Sequence, residues 1–201
     1  MKIYISQRIY FEAIQKGVEN EVLESIQDKN IITDRLILRK FNISDARDMF
    51  KNWASDSEVT KFLQWEPHIS EECTKSVIET WIRDYKTEIS YHWAVELKET
   101  KEVIGEIYIF NIKQKRRCCE IGICISKRFW NKGISTEALV STINFIFKET
   151  ELWRIIAMHD VENIASKKVI LKSKMKYEGE FKCKTNLAVY SISKKNKKNY
   201  L

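Results

Sequence analysis

The chain has 201 residues, 44% of them hydrophobic and 31% charged, a composition typical of a soluble globular protein with a single core. Its formal charge is +7, but the lysines are spread along the chain, which does not favour a nucleic-acid-binding module. No apolar stretch is long enough to span a bilayer, and the first residues lack a secretory signal pattern, so we expect a cytoplasmic protein without a membrane partner.

Residues 1–30 are expected to form an N-terminal helical extension. An apolar stripe recurs there at helical spacing over about residues 7–26, formed by Phe11, Ile14, Val18, Val22 and Ile26. The pattern then changes, which marks the start of a single domain at residues 31–195, followed by a basic, solvated tail at residues 196–201. The stripe must be covered by that domain or by a second copy in a homodimer.

The first half of the domain predicts helices and then closely spaced strands. Residues 35–39 alternate as a strand, Ser44 begins a helix, and Ser70 is the expected N-cap of a helix reaching about residue 85. Strands follow at residues 91–97, 103–110 and 118–125, joined by polar turns short enough for antiparallel hairpins. The third of these strands is apolar on both faces apart from Glu120, so we expect it to be central.

The second half continues with a helix whose buried face carries Ala138, Leu139, Ile143, Ile146 and Phe147. A strand at residues 153–159, a helix at 164–174 and strands at 180–184 and 188–193 complete the domain. This order predicts an α+β fold with a mixed sheet. The five cysteines are odd in number and lack C-x-x-C spacing, so we expect reduced thiols, no disulfides and no metal.

The turn after the predicted central strand is the most informative stretch. Trp130-Asn-Lys-Gly-Ile-Ser-Thr-Glu-Ala138 leads from a strand into a helix, where backbone N–H groups and the helix dipole converge on one point and favour a phosphate. The stretch resembles the acyl-coenzyme A pyrophosphate loop of the GNAT superfamily, in the branch that acetylates ribosomal-protein N-termini at alanine or serine. Asn131 replaces a common glycine of that loop, a mild change because asparagine accepts positive φ.

Other stretches match the same family in order. Asn163-Ile-Ala-Ser166 resembles its Asn-x-x-Ser at a helix start, and Thr33-Asp-Arg-Leu-Ile-Leu-Arg39 with Ser44-Asp-Ala46 resembles the opening of that branch. Lys174-Met175 departs from the usual Gly-Phe, so a lysine is expected in a left-handed position. The resemblance covers about residues 32–194 and implies the GNAT acyl-CoA N-acyltransferase fold, with a central, mostly antiparallel sheet flanked by helices and an extra N-terminal helix.

The resemblance implies an N-acetyltransferase that moves an acetyl group from acetyl-CoA to a primary amine, such as a protein N-terminus, by direct transfer in a ternary complex. It needs neither a metal nor a nucleophilic cysteine. The expected cofactor-binding residues are Ile123, Cys124, Ile125, Trp130, Asn131, Lys132, Gly133, Ile134, Ser135, Thr136, Asn163 and Ser166.

Glu120 is the first candidate for the base that takes the amine proton, because it is a lone carboxylate in the central strand and burial would raise its pKa. An ion pair with Arg116 or Arg117 is the alternative role for Glu120, and Glu106 is a second candidate base. By the resemblance, Ser166 or Tyr190 would protonate the leaving thiolate, although Tyr190 also fits a core position. His159 is expected to be structural.

Three other functions remain open from the sequence. The same site could acetylate a small amine, a polyamine or an aminoglycoside, if acidic residues surround its mouth; the candidates are Asp45, Asp56, Glu58 and Glu66. The two non-enzymatic alternatives are a non-catalytic acyl-CoA-binding regulator and a basic nucleic-acid-binding module.

Overall fold

The computed structural model describes residues 26, 28–87, 90–182 and 185–194. The strands in this part of the chain are β1 (Ile31–Ile32), β2 (Leu36–Lys40), β3 (Tyr91–Leu97), β4 (Val103–Lys113), β5 (Cys118–Ile125), β6 (Arg154–Asp160), β7 (Lys176–Lys182) and β8 (Asn186–Ser193). The α-helices are α1 (Ala46–Met49), α2 (Ser57–Thr60), α3 (Glu71–Thr87), α4 (Ile134–Glu149) and α5 (Ile164–Lys172).

The strands form one sheet in the order β1-β2-β3-β4-β5-β6-β8-β7. Only β5 and β6 are parallel among the described neighbours. The parallel pair follows from the connection, because α4 carries the chain back across the sheet between these two strands. The predicted mixed, mostly antiparallel sheet is therefore confirmed, and β5 lies inside it as expected.

The sheet separates two apolar clusters. On one side, which we call the α4 face, Leu139 of α4 and Ile170 of α5 pack in the same cluster as Ile121 of β5. On the other side, the α3 face, Ile78 of α3 packs in a cluster with Cys124 of β5. Alternate residues of β5 therefore lie on opposite faces, as the strand period requires.

Most predicted elements are found with small shifts. The hairpins β3–β4 and β4–β5 are antiparallel, and Ser70 caps α3 by accepting a hydrogen bond from the Cys73 N–H at 3.2 Å. The helix predicted from Ser44 instead starts as a 3₁₀ turn, Ile43–Asp45, with Asn42 at the N-cap. The reason is that the Asp45 carboxylate accepts the Asn42 N–H at 2.7 Å, which closes the first turn earlier.

The strand predicted at residues 180–184 begins earlier, at Lys176. Lys174 has φ 64°, the left-handed conformation expected for this position, and it ends α5 so sharply that the chain enters the sheet edge at once. Cys183 and the basic tail lie outside the described residues, as does the predicted N-terminal helix apart from Ile26, which is fully buried. No helix in the described ranges is long and apolar enough to cross a membrane.

Candidate active site

The parallel strands β5 and β6 pair over three residues only. Their ladder joins Cys118–Glu120 to Arg154–Ile156, although β5 continues to Ile125 and β6 to Asp160. Beyond the last rung, β4 is the only described strand that pairs with β5, and β8 is the only described strand that pairs with this part of β6. The edges that face each other across this opening therefore leave backbone N–H and C=O groups without a sheet partner. Ile123, Cys124 and Ile125, three of the expected cofactor-binding residues, lie on the β5 side of the opening.

The loop from β5 to α4 has the backbone shape of an anion site. Asn131 at φ 59° and Gly133 at φ 77° are both left-handed, and the expectation for Asn131 is confirmed. Directly after Gly133, α4 begins at Ile134, and the first N–H groups of a helix have no acceptor within it. The Trp130 indole donates to the Ile125 carbonyl at 2.8 Å and ties the loop to the end of β5. This arrangement fits a phosphate group at the start of α4.

Glu137, in the first turn of α4, fastens the loop to the turn between β1 and β2. Its carboxylate accepts hydrogen bonds from Thr33 Oγ1 at 2.5 Å, Arg35 N at 3.0 Å and Arg35 Nε at 2.7 Å. Arg35 Nη1 also donates to the Lys132 carbonyl at 2.9 Å. Burial works to raise the pKa of Glu137, but the bonds from Thr33 and Arg35 outweigh it, so the pKa lies below its usual value.

Asn163 and Ser166 lie at the start of α5, just past the end of β6. The Asn163 Oδ1 accepts the Ser166 N–H at 3.0 Å, which is an N-cap bond. The cap occupies the side-chain carbonyl of Asn163 and leaves its amide group as a donor. Lys167, Lys168 and Lys172 on the same helix are exposed to solvent.

Glu120 stands at the last rung of the β5–β6 ladder, where the opening begins. It is half-buried, and its carboxylate accepts a hydrogen bond from the Asn111 side chain. Of the two arginines considered as its partners, Arg117 is bound elsewhere, with its guanidinium 2.8 Å from the Glu151 carboxylate, and Arg116 is exposed. Glu120 alternates with Ile121 along β5, which places it on the α3 face.

A polar cluster that the sequence analysis did not assemble lies on the same face. Glu106 is only 3% exposed, and one of its carboxylate oxygens is 3.4 Å from Nδ1 of His92. The His92 ring is stacked between Trp81, at 4.2 Å, and Tyr108, at 5.0 Å between ring centroids. Glu106 was predicted as a second candidate base, and the sequence did not indicate that His92 of β3 would lie beside it.

Tyr108 connects the cluster to the opening. It lies opposite Gly122 of β5, and its ring covers that glycine so closely that a Cβ placed there would be 2.4 Å from the ring carbon Cζ. Burial and the neighbouring Glu106 raise the pKa of Tyr108, so its hydroxyl keeps its proton near neutral pH. Glu106 and Glu120 lie on either side of this rung, each about 7 Å from it along the strands.

Tyr190 is on the α4 face and is 2% exposed. Its ring packs against His159 and Tyr177, each at 5.4 Å, in the core position that the sequence analysis left open. Beside them, a cavity of about 410 Å³ lies between α5 and the strands β6, β7 and β8. The fold therefore does not bring Tyr190 to the same face as Glu120.

The acidic residues considered for a small-amine mouth have other contacts. Asp45 forms an ion pair with Arg39 at 2.8 Å, and Asp56 accepts the Glu58 N–H at 2.9 Å as the cap of α2. Glu58 pairs with Lys127. The fourth residue of this set, Glu66, is exposed.

The four described cysteines are unpaired. Burial, assisted by the Glu106 charge, raises the pKa of Cys124 well above its usual value. Its thiol therefore stays protonated near neutral pH and is a poor nucleophile.

Comparison with known proteins identifies the class of this fold and site. The family described as acetyltransferase (GNAT) domain matches residues 35–176. The chain is 35% identical over 147 residues to the uncharacterized N-acetyltransferase YoaA of Bacillus subtilis (strain 168), covering 73% of this chain and 82% of that protein. It therefore belongs to the GNAT family of acetyltransferases, and the enzyme class and fold implied by its motifs are confirmed.

Solved structures agree with this assignment. A GNAT-family acetyltransferase from Bacillus anthracis has a TM-score of 0.73 at 28% identity, with 82% of this chain and 98% of that chain covered. RimL, a ribosomal L7/L12 alpha-N-protein acetyltransferase solved in complex with coenzyme A, has a TM-score of 0.75 at 17% identity over 82% of this chain and 98% of its own, a likeness of fold alone.

Proposed function

We propose that this acetyltransferase moves an acetyl group from acetyl-CoA to a primary amine by direct attack in a ternary complex. The observation that carries the proposal is the opening between β5 and β6. At its far end lies a loop shaped for a phosphate, and on its α3 face lies a polar cluster. The coenzyme A bound by the RimL structure supports this choice of donor.

On the donor side, the loop residues from Trp130 to Thr136 would hold the pyrophosphate through backbone N–H groups. The free edge of β5 from Ile123 to Ile125 would bind the pantetheine arm through backbone bonds, with the Asn163 amide as a further donor. Acetyl-CoA supplies the activated thioester when bound. A β5 N–H beside the opening can polarise its carbonyl, because that group has no competing acceptor in the sheet.

On the acceptor side, Glu120 takes the amine proton, directly or through a water, from its position at the last paired rung, where the opening begins. Ser166, in the first turn of α5 after the end of β6, would return a proton to the leaving thiolate. Tyr190 is the weaker candidate for that step because its ring is packed in the core. Removal and delivery of the proton therefore fall to different groups on different faces.

The acceptor class that we propose is a protein N-terminus, as the resemblance to the ribosomal-protein branch implies. The engagement of Asp45, Asp56 and Glu58 in other contacts supports this choice over a polyamine or aminoglycoside, since those carboxylates do not form a free acidic mouth. Both small-amine classes stay in the test as alternatives.

The experiment incubates the protein with acetyl-CoA and a panel of peptide N-termini, polyamines and aminoglycosides, and detects acetylation by mass. Glu120→Gln should lower turnover by about a hundredfold or more, the usual contribution of a general base. Glu151→Gln is the matched control, because Glu151 is an exposed carboxylate between α4 and β6 that is bound to Arg117.

If Glu120→Gln kept its turnover and Glu106→Gln lost it, the general base would be Glu106, which pairs with His92. Binding of acetyl-CoA without transfer to any amine would instead favour the non-catalytic regulator. Failure of acetyl-CoA to stabilise the protein in a thermal shift would refute the proposal as a whole.

A further inference from the structure

Two of the matching motifs lie far apart in the chain but contact each other at the loop from β5 to α4. Thr33 and Arg35 come from the turn before β2, while Glu137 follows about a hundred residues later in α4, and the contact of Arg35 with Glu137 spans 102 positions. We infer that Arg35 and Glu137 are positioning residues for coenzyme A: they fix the Lys132–Gly133 peptide so that the Gly133 N–H points at the pyrophosphate. The identity of the anion rests on the proposed function.

The first step of the argument is the geometry of one peptide bond. In a trans peptide, the C=O of one residue and the N–H of the next point in opposite directions. Arg35 Nη1 holds the Lys132 carbonyl at 2.9 Å, on the β2 side of the loop. The N–H of Gly133 must then point away from the Arg35 guanidinium, to the side of the loop where we propose that the phosphate binds.

The second step is that Glu137 fixes the position of Arg35. The Arg35 Nε donates to the Glu137 carboxylate at 2.7 Å, and its backbone N–H donates to the same carboxylate. The Thr33 hydroxyl also donates to Glu137. The Arg35 side chain is 47% exposed, so without Glu137 it would be free to sample many rotamers. Glu137 thus fixes the orientation of the group that orients the loop.

The third step is electrostatic. A carboxylate in the first turn of a helix stabilises the helix but repels a phosphate bound at the same end. The Arg35 charge, 2.7 Å from the Glu137 carboxylate, offsets that repulsion. The lowered pKa of Glu137 agrees with a carboxylate that stays ionised beside its partner.

The test measures binding of three probes to the full chain: coenzyme A, ADP, which carries a pyrophosphate without the arm, and pantetheine, which carries the arm without phosphates. Arg35→Gln and Glu137→Gln are compared with the wild type. Glu149→Gln is the matched control, since Glu149 ends the same helix and pairs with Lys29 at 2.7 Å. Thermal melting checks that each variant is folded.

Both test variants should bind coenzyme A and ADP about tenfold more weakly, the effect of losing one well-oriented bond to a charged group, while pantetheine binding is unchanged. The control should bind all three probes as the wild type does. Equal affinity for coenzyme A in wild type, Arg35→Gln and Glu137→Gln would overturn the inference. So would an equal loss for all three probes, because that indicates a general disturbance of the fold.

A second readout separates this inference from the proposed function. The chain has five glycines, so the Gly133 amide can be assigned in an NMR spectrum of the ligand-free protein. Arg35→Gln should shift that resonance strongly, whether or not coenzyme A binds, and Glu149→Gln should leave it in place. If the wild type bound no coenzyme A, the proposed function would fail. The shift of the Gly133 resonance would still show whether Arg35 determines the orientation of the Lys132–Gly133 peptide.

Discussion

Replacing Gly122 by alanine tests how the polar cluster is joined to the opening. A Cβ at this position would lie 2.4 Å from Cζ, 2.6 Å from the hydroxyl and 2.8 Å from Cε1 of the Tyr108 ring. The backbone of Gly122 has no positive φ, so space alone is at issue. The Tyr108 ring must therefore leave its stacked position on His92.

Two opposing terms set the magnitude. Displacing a packed ring costs about 1–3 kcal/mol. Alanine in a strand is more favourable than glycine by about 0.5–1 kcal/mol, because an unfolded chain with alanine has less backbone entropy to lose on folding. We therefore expect Gly122→Ala to destabilise the protein by about 1–2 kcal/mol. In a Tyr108→Leu background the three clashing atoms are absent, so the same substitution should become neutral or slightly stabilising.

Urea unfolding of the four proteins in this double-mutant cycle gives the coupling energy, expected at about 2 kcal/mol. Gly105→Ala is the control, because a Cβ there meets the backbone carbonyl of Cys124 at 2.3 Å, which Tyr108→Leu cannot relieve. If Gly122→Ala cost the same with tyrosine or leucine at position 108, the Tyr108 ring would not be the group that fills this space.

Three further outcomes follow from charge and burial. The ionised Glu137 stabilises the fold at neutral pH. This stabilisation is lost as the pH falls from the ordinary glutamate pKa of about 4.5 through the lowered pKa of the folded state. Urea unfolding at decreasing pH should therefore show a narrowing difference in stability between wild type and Glu137→Gln. Burial lowers the pKa of His68, although the charge of Glu106 acts in the opposite direction. The unfolded chain therefore binds a proton at His68 more tightly than the folded protein does. Stability should thus fall below about pH 6.5, and His68→Gln should flatten that decline; an unchanged slope would exclude His68 as its source. Iodoacetamide should modify the exposed Cys73 in the native protein and reach the buried Cys124 only after unfolding, as mass mapping would report, whereas native labelling of Cys124 would contradict its burial.

Features governed by local sequence were predictable. Asn131 and Lys174 replace glycines of a familiar pattern, and both have the positive φ that their positions require. Ser70 caps α3 because capping depends only on the residues that follow it. The 3₁₀ turn that precedes α1 begins at Ile43, one residue before the predicted Ser44, because the Asp45 carboxylate accepts the Asn42 N–H.

Features that depend on register were not predictable. His92, Tyr108 and Gly122 meet because β3, β4 and β5 pair in one particular register, which a single sequence does not specify. Glu137 was noted as part of a motif, but its partner Arg35 lies across the fold, so its contact with the Lys132 loop could not be read from spacing.

The division of the sheet into two faces has a consequence for how such a protein diversifies. The helices of the α3 face come from one continuous stretch, residues 46–87, and the loop and helices of the donor side from another, residues 126–172. Under the proposed function, mutation or insertion in the first stretch would alter the acceptor's approach to Glu120 without changing the contacts of Arg35 with Glu137. Related proteins could then differ in their acceptors while they share one acetyl donor.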